Sequence, residues 1–210
     1  LFTVPDGVDV PPATWEFMLA QYLAKVNRQA ISRVVRKASE AMLWLREVAG
    51  IIAAANRPIT WTTPTGMRIT QHYRKIKSRR MALFFGDVRY YPSYADTTNK
   101  ADVMAHKNGF APNFIHSLDA SHLQMITLRA VRSGLTLSVI HDSFSTHAAD
   151  VEHLRQIVRE EFVKMYKDSN ILAQLHQELS AANPDLKLPE PPPQGTLDLN
   201  NVLKSEYFLS

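Results

Sequence analysis

A chain of 210 residues, 45% of them hydrophobic, is long enough for one large domain or two closely packed pieces with a proper core. It contains no cysteine, which excludes disulfides, thiolate metal sites and a cysteine nucleophile, and its apolar runs are far too short to span a membrane. The net charge of +4 hides an asymmetry, because residues 1–116 carry 16 Lys/Arg against 8 Asp/Glu while residues 117–210 carry 8 against 12. A basic half joined to an acidic half suggests a polyanion bound by one and metal or catalysis handled by the other.

The chain opens on Leu1 rather than Met and shows no signal peptide, so upstream sequence is expected. After the prolines at 5, 11 and 12, Thr14 is expected to cap a helix. From Trp15 through Met18, Tyr22, Val26, Ile31, Val34, Met42, Leu45 and Ile52, apolar residues recur at helical spacing as far as Asn56-Arg57-Pro58. The run exceeds an ordinary helix, which predicts two helices or one with a bend. Lys25, Arg28, Arg33, Arg36 and Lys37 line the other face, either as a solvated surface or as phosphate contacts.

Ile59 to Met67 reads as strand, turn, strand, with Thr63-Pro64-Thr65-Gly66 as a type I turn. The most basic stretch follows: Arg68, Arg74, Lys75, Lys77, Arg79 and Arg80, with Tyr73 interleaved and no acid among them. Gly86-Asp87 then separates two β-rich runs, Met81–Phe85 and Val88–Pro92, a strong hairpin signal. A projecting ribbon carrying Arg79, Arg80, Arg89, Tyr90 and Tyr91 has the right shape for a DNA groove; an ordinary surface hairpin fits the same residues. Residues 95–109 are polar and irregular and read as a loop, and Pro112-Asn113 as the start of a helix ending at Gly134.

Leu135, Leu137 and Val139 alternate with Thr136, Ser138 and Ile140, so 135–140 reads as a strand that ends on His141-Asp142, with a second strand from Ser143 to Thr146. A carboxylate at a buried strand's end is held rigidly, as a metal-binding acid must be; the same Asp also serves turn chemistry alone. Asp150 is expected to cap a helix, with a shorter helix at about 169–181. Five prolines within 183–195 make an extended connector, and the apolar tail 197–210 is expected to dock on the body.

Six of eight histidines fall between 106 and 153, but none are paired at zincin spacing, and neither a phosphate-binding glycine loop nor a nucleophile elbow is present. Asp142 beside His141 remains, and Mg²⁺-dependent phosphoryl transfer uses such a carboxylate together with at least one more.

Ala111-Pro-Asn-Phe-Ile-His116-Ser-Leu-Asp119-Ala-Ser-His122, followed by His141-Asp142-Ser143, resembles the single-subunit, bacteriophage-type DNA-directed RNA polymerases, a family that includes mitochondrial and plastid enzymes. Glu40-Ala41-Met42 with Trp44-Leu45, Trp61-Thr-Thr-Pro-Thr-Gly66, the basic hairpin and Leu199–Ser210 extend the likeness over nearly the whole chain. The resemblance implies an α+β, mostly helical right-hand fold, with a fingers segment at 1–116 and a palm segment with its carboxy-terminal extension at 117–210. It also implies RNA synthesis from NTPs on a DNA template. Asp142 is then the palm carboxylate for Mg²⁺, with His141 against the RNA end and His116 fixing a fingers tyrosine for ribose selection. The hairpin at about 75–92 corresponds to the loop that reads double-stranded promoter DNA, with Arg74, Lys75, Lys77, Arg79, Arg80, Arg89 and Tyr91 as DNA contacts. Met81 and Tyr91 stand where related enzymes use polar readers, so a different promoter is expected. The family's first metal-binding aspartate, its nucleotide-binding fingers helix and its amino-terminal domain have no counterpart here. The chain is therefore expected to be inactive without the amino-terminal part of the polymerase. A phage enzyme in bacterial cytoplasm is the expected setting, with a mitochondrial one as the alternative. A family A DNA polymerase is the nearest rival, although His-Asp is usually followed there by Glu rather than Ser143. A non-catalytic nucleic-acid-binding module is the other.

Overall fold

The long periodic run forms two helices, α1 (Pro12–Val34) and α2 (Arg36–Ala54), broken at Val35, whose φ of −105° and ψ of 62° lie outside the helical region. These come from a computed structural model that describes residues 11–140, 143–167, 169–205 and 208. Helix α1 begins earlier than Thr14. The Thr14 N–H already bonds the Pro11 carbonyl at 2.9 Å, and Pro12 occupies the first turn, where its missing N–H costs nothing. The chain divides into two compact units, Leu1–Leu43 and Trp44–Ser210. In the first unit the expected apolar stripe is present but uncovered: Met18, Tyr22, Val26 and Ile31 are all exposed.

The second unit is built on helices with small antiparallel pairs, an α+β arrangement that is mostly helical. Strands β1 (Ile59–Thr62) and β2 (Arg68–Gln71) pair across the turn foreseen at 63–66, closed by the Gly66 N–H to the Thr63 carbonyl at 2.8 Å. Gly66 adopts a φ of 86°, which a residue with a Cβ rarely takes. Strands β3 (Arg74–Arg80), β4 (Leu83–Phe85), β5 (Val88–Tyr90) and β6 (Ser93–Ala101) follow.

Helix α3 (Val103–Arg132) corrects two expectations. Residues 95–109 are not a loop: they complete β6 and form the first two turns of α3. The helix starts at its cap Asp102, whose carboxylate accepts from the Ala105 N–H at 3.0 Å, and it runs through Pro112 rather than starting there. It stops where predicted: Gly134 has a φ of 74°, and the Leu135 N–H reaches back to the Ala130 carbonyl at 2.9 Å.

Strands β7 (Ser138–Ile140) and β8 (Ser143–Ser145) come next. A short 3₁₀ turn leads into α4 (Val151–Lys167), and Asn170 caps α5 (Ile171–Ala182) through the Ala173 N–H at 3.1 Å. The proline-rich connector lies against the body, its Pro189 carbonyl accepting from the Trp44 indole at 2.8 Å. The described part of the tail docks as expected: the Lys167 ammonium donates to Asn200 at 3.0 Å, and the Phe208 ring lies 4.8 Å from that of Phe162.

Among the described residues, two apolar clusters hold this unit. The larger joins Trp44, Leu45, Val48 and Ile52 of α2 to Trp61 of β1, Phe110, Phe114 and Leu118 of α3, and Leu175 and Leu179 of α5. Trp61 is its keystone, edge-on to Phe110 at 5.5 Å and donating its indole N–H to the Ser117 hydroxyl at 3.0 Å. The smaller joins Ile126 and Ala130 of α3 to Leu154, Ile157 and Val158 of α4 and to Leu135.

Candidate nucleic-acid interface and catalytic hairpin

Strands β3 to β6 form one continuous ribbon. Ile76 pairs with Thr97, Arg80 with Ser93, Leu83 with Tyr90 and Phe85 with Val88, all in the same register, and the Met81 N–H to the Pro92 carbonyl at 3.1 Å bridges the joint between the strand pairs. Gly86 turns the chain at a φ of 60° as the first of two loop residues, the position where a hairpin turn with one left-handed residue needs glycine. A bulge between Arg74 and Ile76 twists the base, and the Thr98 hydroxyl covers the Lys75 carbonyl there at 2.9 Å.

Every residue of β3 is exposed, so this strand is held by pairing and not by burial. Strand alternation separates the basic groups. Lys77 and Arg79 emerge on one face, where Arg79 meets Asp96 at 2.9 Å; Arg80, Arg89 and Tyr91 emerge on the other. A groove that admits the ribbon edge-on meets both sets. Arg74 and Lys75 lie at the bulge, nearest the body.

The ribbon's base is tied down by groups that sequence reasoning missed. Asn56, left-handed at a φ of 60° just past α2, accepts from the Ala101 N–H at 2.6 Å and donates to the Asn99 carbonyl at 3.0 Å. On the other arm, Tyr73 packs on α3. Its N–H bonds Nε2 of the fully buried His106 at 3.3 Å, its hydroxyl accepts from Asn113 at 2.9 Å, and its ring fills the space beside Gly109. A Cβ at Gly109 would lie 2.9 Å from the Tyr73 ring. His106 holds its other nitrogen 2.8 Å from the Asp102 carbonyl, so it is a structural group. The available signals were an Asn directly after a helix and a Gly inside one.

The short hairpin is built differently. Val139 pairs with Phe144 and Ile140 with Ser143, and the Thr146 hydroxyl donates to the Thr136 carbonyl at 2.7 Å across its open end. The strand begins at Ser138, later than foreseen; Leu135 and Leu137 precede it and pack with Phe144 on the smaller core, while Ile140 faces solvent. His141 and Asp142 fall outside the described residues. Among the described residues no group of three His, Asp or Glu could hold a metal ion. His116 is exposed on α3, and Asp119 lies one turn on. Nearby on α4, burial pushes the Tyr166 phenol up to about 12, and the Asp119 carboxylate adds to the shift.

Charge pairing binds the helices that carry this hairpin. Arg129 of α3 bridges Glu160 and, at 3.0 Å, the buried Glu161 of α4. Gln156 and then Arg129 donate to Glu160 and hold its carboxyl below the usual range. A recess of about 260 Å³ between β1, α3 and α5 is smaller than the ~300–1,000 Å³ of ordinary ligand pockets, and its one acid, Glu178, is engaged by the Thr62 N–H and hydroxyl.

Residues 6–185 match a family model described as DNA-dependent RNA polymerase, a span that includes both the ribbon and the short hairpin. DNA-directed RNA polymerase 2A of Nicotiana tabacum is 39% identical over 194 residues, covering 92% of this chain and 57% of that protein. DNA-directed RNA polymerase 1, mitochondrial, of Nicotiana sylvestris is 38% identical, with 92% of this chain and 19% of that protein covered. DNA-directed RNA polymerase 2, chloroplastic/mitochondrial, of Arabidopsis thaliana is 38% identical with the same coverage of 92% and 19%. The chain thus spans about a fifth of the length of two of these relatives and just over half of the third.

Proposed function

The chain belongs to the DNA-dependent RNA polymerase family, and from that premise we propose that it forms part of an enzyme that makes RNA from NTPs on a DNA template. The observation that carries this reading is the family match itself, because its span of residues 6–185 includes both the basic ribbon and the sequence His141-Asp142-Ser143. Residues 1–116 supply a fingers segment and 117–210 a palm segment of a right-hand polymerase. The ribbon binds double-stranded promoter DNA through Lys77, Arg79, Arg80, Arg89 and Tyr91, with Arg74 and Lys75 reaching the adjoining phosphates. Asp142 contributes one carboxylate to Mg²⁺, which when bound polarises the RNA hydroxyl and the nucleotide phosphate. That ion takes hard oxygen ligands, and this reading assigns its second carboxylate to another part of the polymerase. His141 lies against the RNA end, and His116, exposed on α3, holds a group supplied by another portion of the polymerase. The organellar names of the relatives support a mitochondrial setting over the bacterial cytoplasm.

The test is complementation. An upstream fragment of a related polymerase, ending near where this chain begins, is mixed with it, and promoter-directed RNA synthesis is followed. Synthesis is expected only in the mixture, and Asp142→Asn is expected to abolish it. RNA made by the chain alone, or undiminished by Asp142→Asn, overturns the assignment. The exposed basic ribbon also favours a second reading, a module that only binds nucleic acid. Binding then falls by about 0.9 log units per phosphate contact per log unit of salt, with no RNA product in any mixture.

A further inference from the structure

The ribbon ends on aromatic rings, not on charge. Phe84 is 63% and Phe85 69% exposed, on opposite faces of the tip, with Val88 and Tyr90 beside them also exposed. Neither phenylalanine is needed by the turn, which depends on Gly86. The stem behind them is strongly basic: residues 74–101 hold seven Lys/Arg against Asp87 and Asp96. Asp96 is engaged by Arg79, and Asp87 sits at the apex itself.

This juxtaposition restricts what the tip can meet. A basic stem draws in a polyanion, yet the apex carries a carboxylate that repels phosphate and two rings that seek apolar contact. Paired DNA hides its only large apolar surfaces, the base faces, inside the stack; they open where the strands part. The Arg89 guanidinium lies over the Phe84 ring at 5.5 Å, so one side of the ring is already covered and the charge stands ready for a neighbouring phosphate.

We propose that Phe84 and Phe85 form a wedge that stacks on unpaired bases at the edge of a melted DNA segment, while the ribbon's stem holds the paired flank. This rests on the reading of the ribbon as a DNA-binding element. The test uses the 210-residue chain and two DNAs of the same length and sequence on one strand. One is fully paired; the other carries a short mismatched bubble with 2-aminopurine inside it. The bubble DNA is expected to bind about tenfold more tightly, the gain typical of one base stacked on an aromatic side chain, and the fluorescence of 2-aminopurine to fall on binding. In Phe84→Ala/Phe85→Ala the preference disappears and duplex affinity stays; in Phe84→Trp the preference returns. Lys77→Ala/Arg80→Ala weakens binding to both DNAs alike.

Equal binding of the two DNAs, unquenched and indifferent to the Phe variant, overturns the wedge while leaving the ribbon's DNA contact intact. It points instead to a protein partner for the tip. Absence of binding to both, or binding that ignores Lys77→Ala/Arg80→Ala, overturns the DNA-binding reading itself. All four positions are exposed, so the variants are expected to fold, and an unchanged circular dichroism spectrum checks it.

Discussion

Two hairpins of the second unit, β7–β8 and the ribbon β3–β6, follow opposite building rules. The short one, β7–β8, is three residues a side, and Phe144 and neighbouring Leu137 press it onto the core made by Ile126, Leu154 and Ile157. The ribbon, β3–β6, is much longer and exposed on both faces, and its fixed contacts sit at its base. A slip of one residue in the short hairpin would turn Phe144 outward, so burial fixes its register. In the ribbon no apolar face does that work, and the Gly86 turn with the bulge at Arg74 does it instead. Burial fixes the register of an element pressed onto a core, whereas one exposed on both faces relies on its turn and its base.

The sharpest way to break the contrast is to truncate one side chain under each. Ile126→Ala, at a fully buried site beneath the short hairpin, is expected to cost about 2–5 kcal/mol, and Ile76→Ala in the exposed ribbon about 0.5 kcal/mol or less. Denaturant melts of both variants decide it; equal losses would mean that the ribbon is covered in solution. Next in size is Gly109→Ala. The added methyl displaces the Tyr73 ring, at a cost of about 1–3 kcal/mol, and hydrogen exchange should rise at the ribbon's base while β7–β8 stays protected. Unchanged protection at Ala101 and Tyr73 would remove that anchor from the account.

The smallest effect concerns acid. Glu160 sits below the usual carboxyl range because Gln156 and Arg129 favour its ionised form. Its contribution is therefore complete above the unfolded value and is lost as pH falls through the lower native one. Glu160 is about a third exposed, so the loss is at most ~1 kcal/mol. Glu160→Gln should flatten that part of the stability curve, and a curve unchanged by the substitution would show that the tie between α3 and α4 does not depend on this charge.

The sequence disclosed what has a local signal. Gly86-Asp87 marked the ribbon's turn, Gly134 the end of α3, and the alternation of Leu135, Leu137 and Val139 the side of the short hairpin that faces the core. Strand β6 escaped because Ser93–Ala101 is nearly devoid of apolar residues: it exists by pairing with β3, and pairing leaves no periodic trace. The start of α3 escaped because Pro112 looks like a first-turn proline, whereas Asp102 does the capping ten residues earlier. The stripe on α1 was legible as a helix face but not as an uncovered one, since periodicity reports which side is apolar and never what lies against it. For Asp142, spacing left turn chemistry and metal binding open, and only the family resemblance pointed to the metal.

The ribbon's single register has a mechanical consequence. Ten residues from Ile76 to Phe85 make an arm of about 33 Å at the usual rise per strand residue. Pivoted at its base, such an arm moves its end by one base-pair step, ~3.4 Å, for a rotation of only ~6°. On the proposed reading of the ribbon as a DNA-binding element, the accuracy with which this lever finds its place is set far from its tip, by how stiffly Tyr73, Gly109 and Asn56 hold the fulcrum.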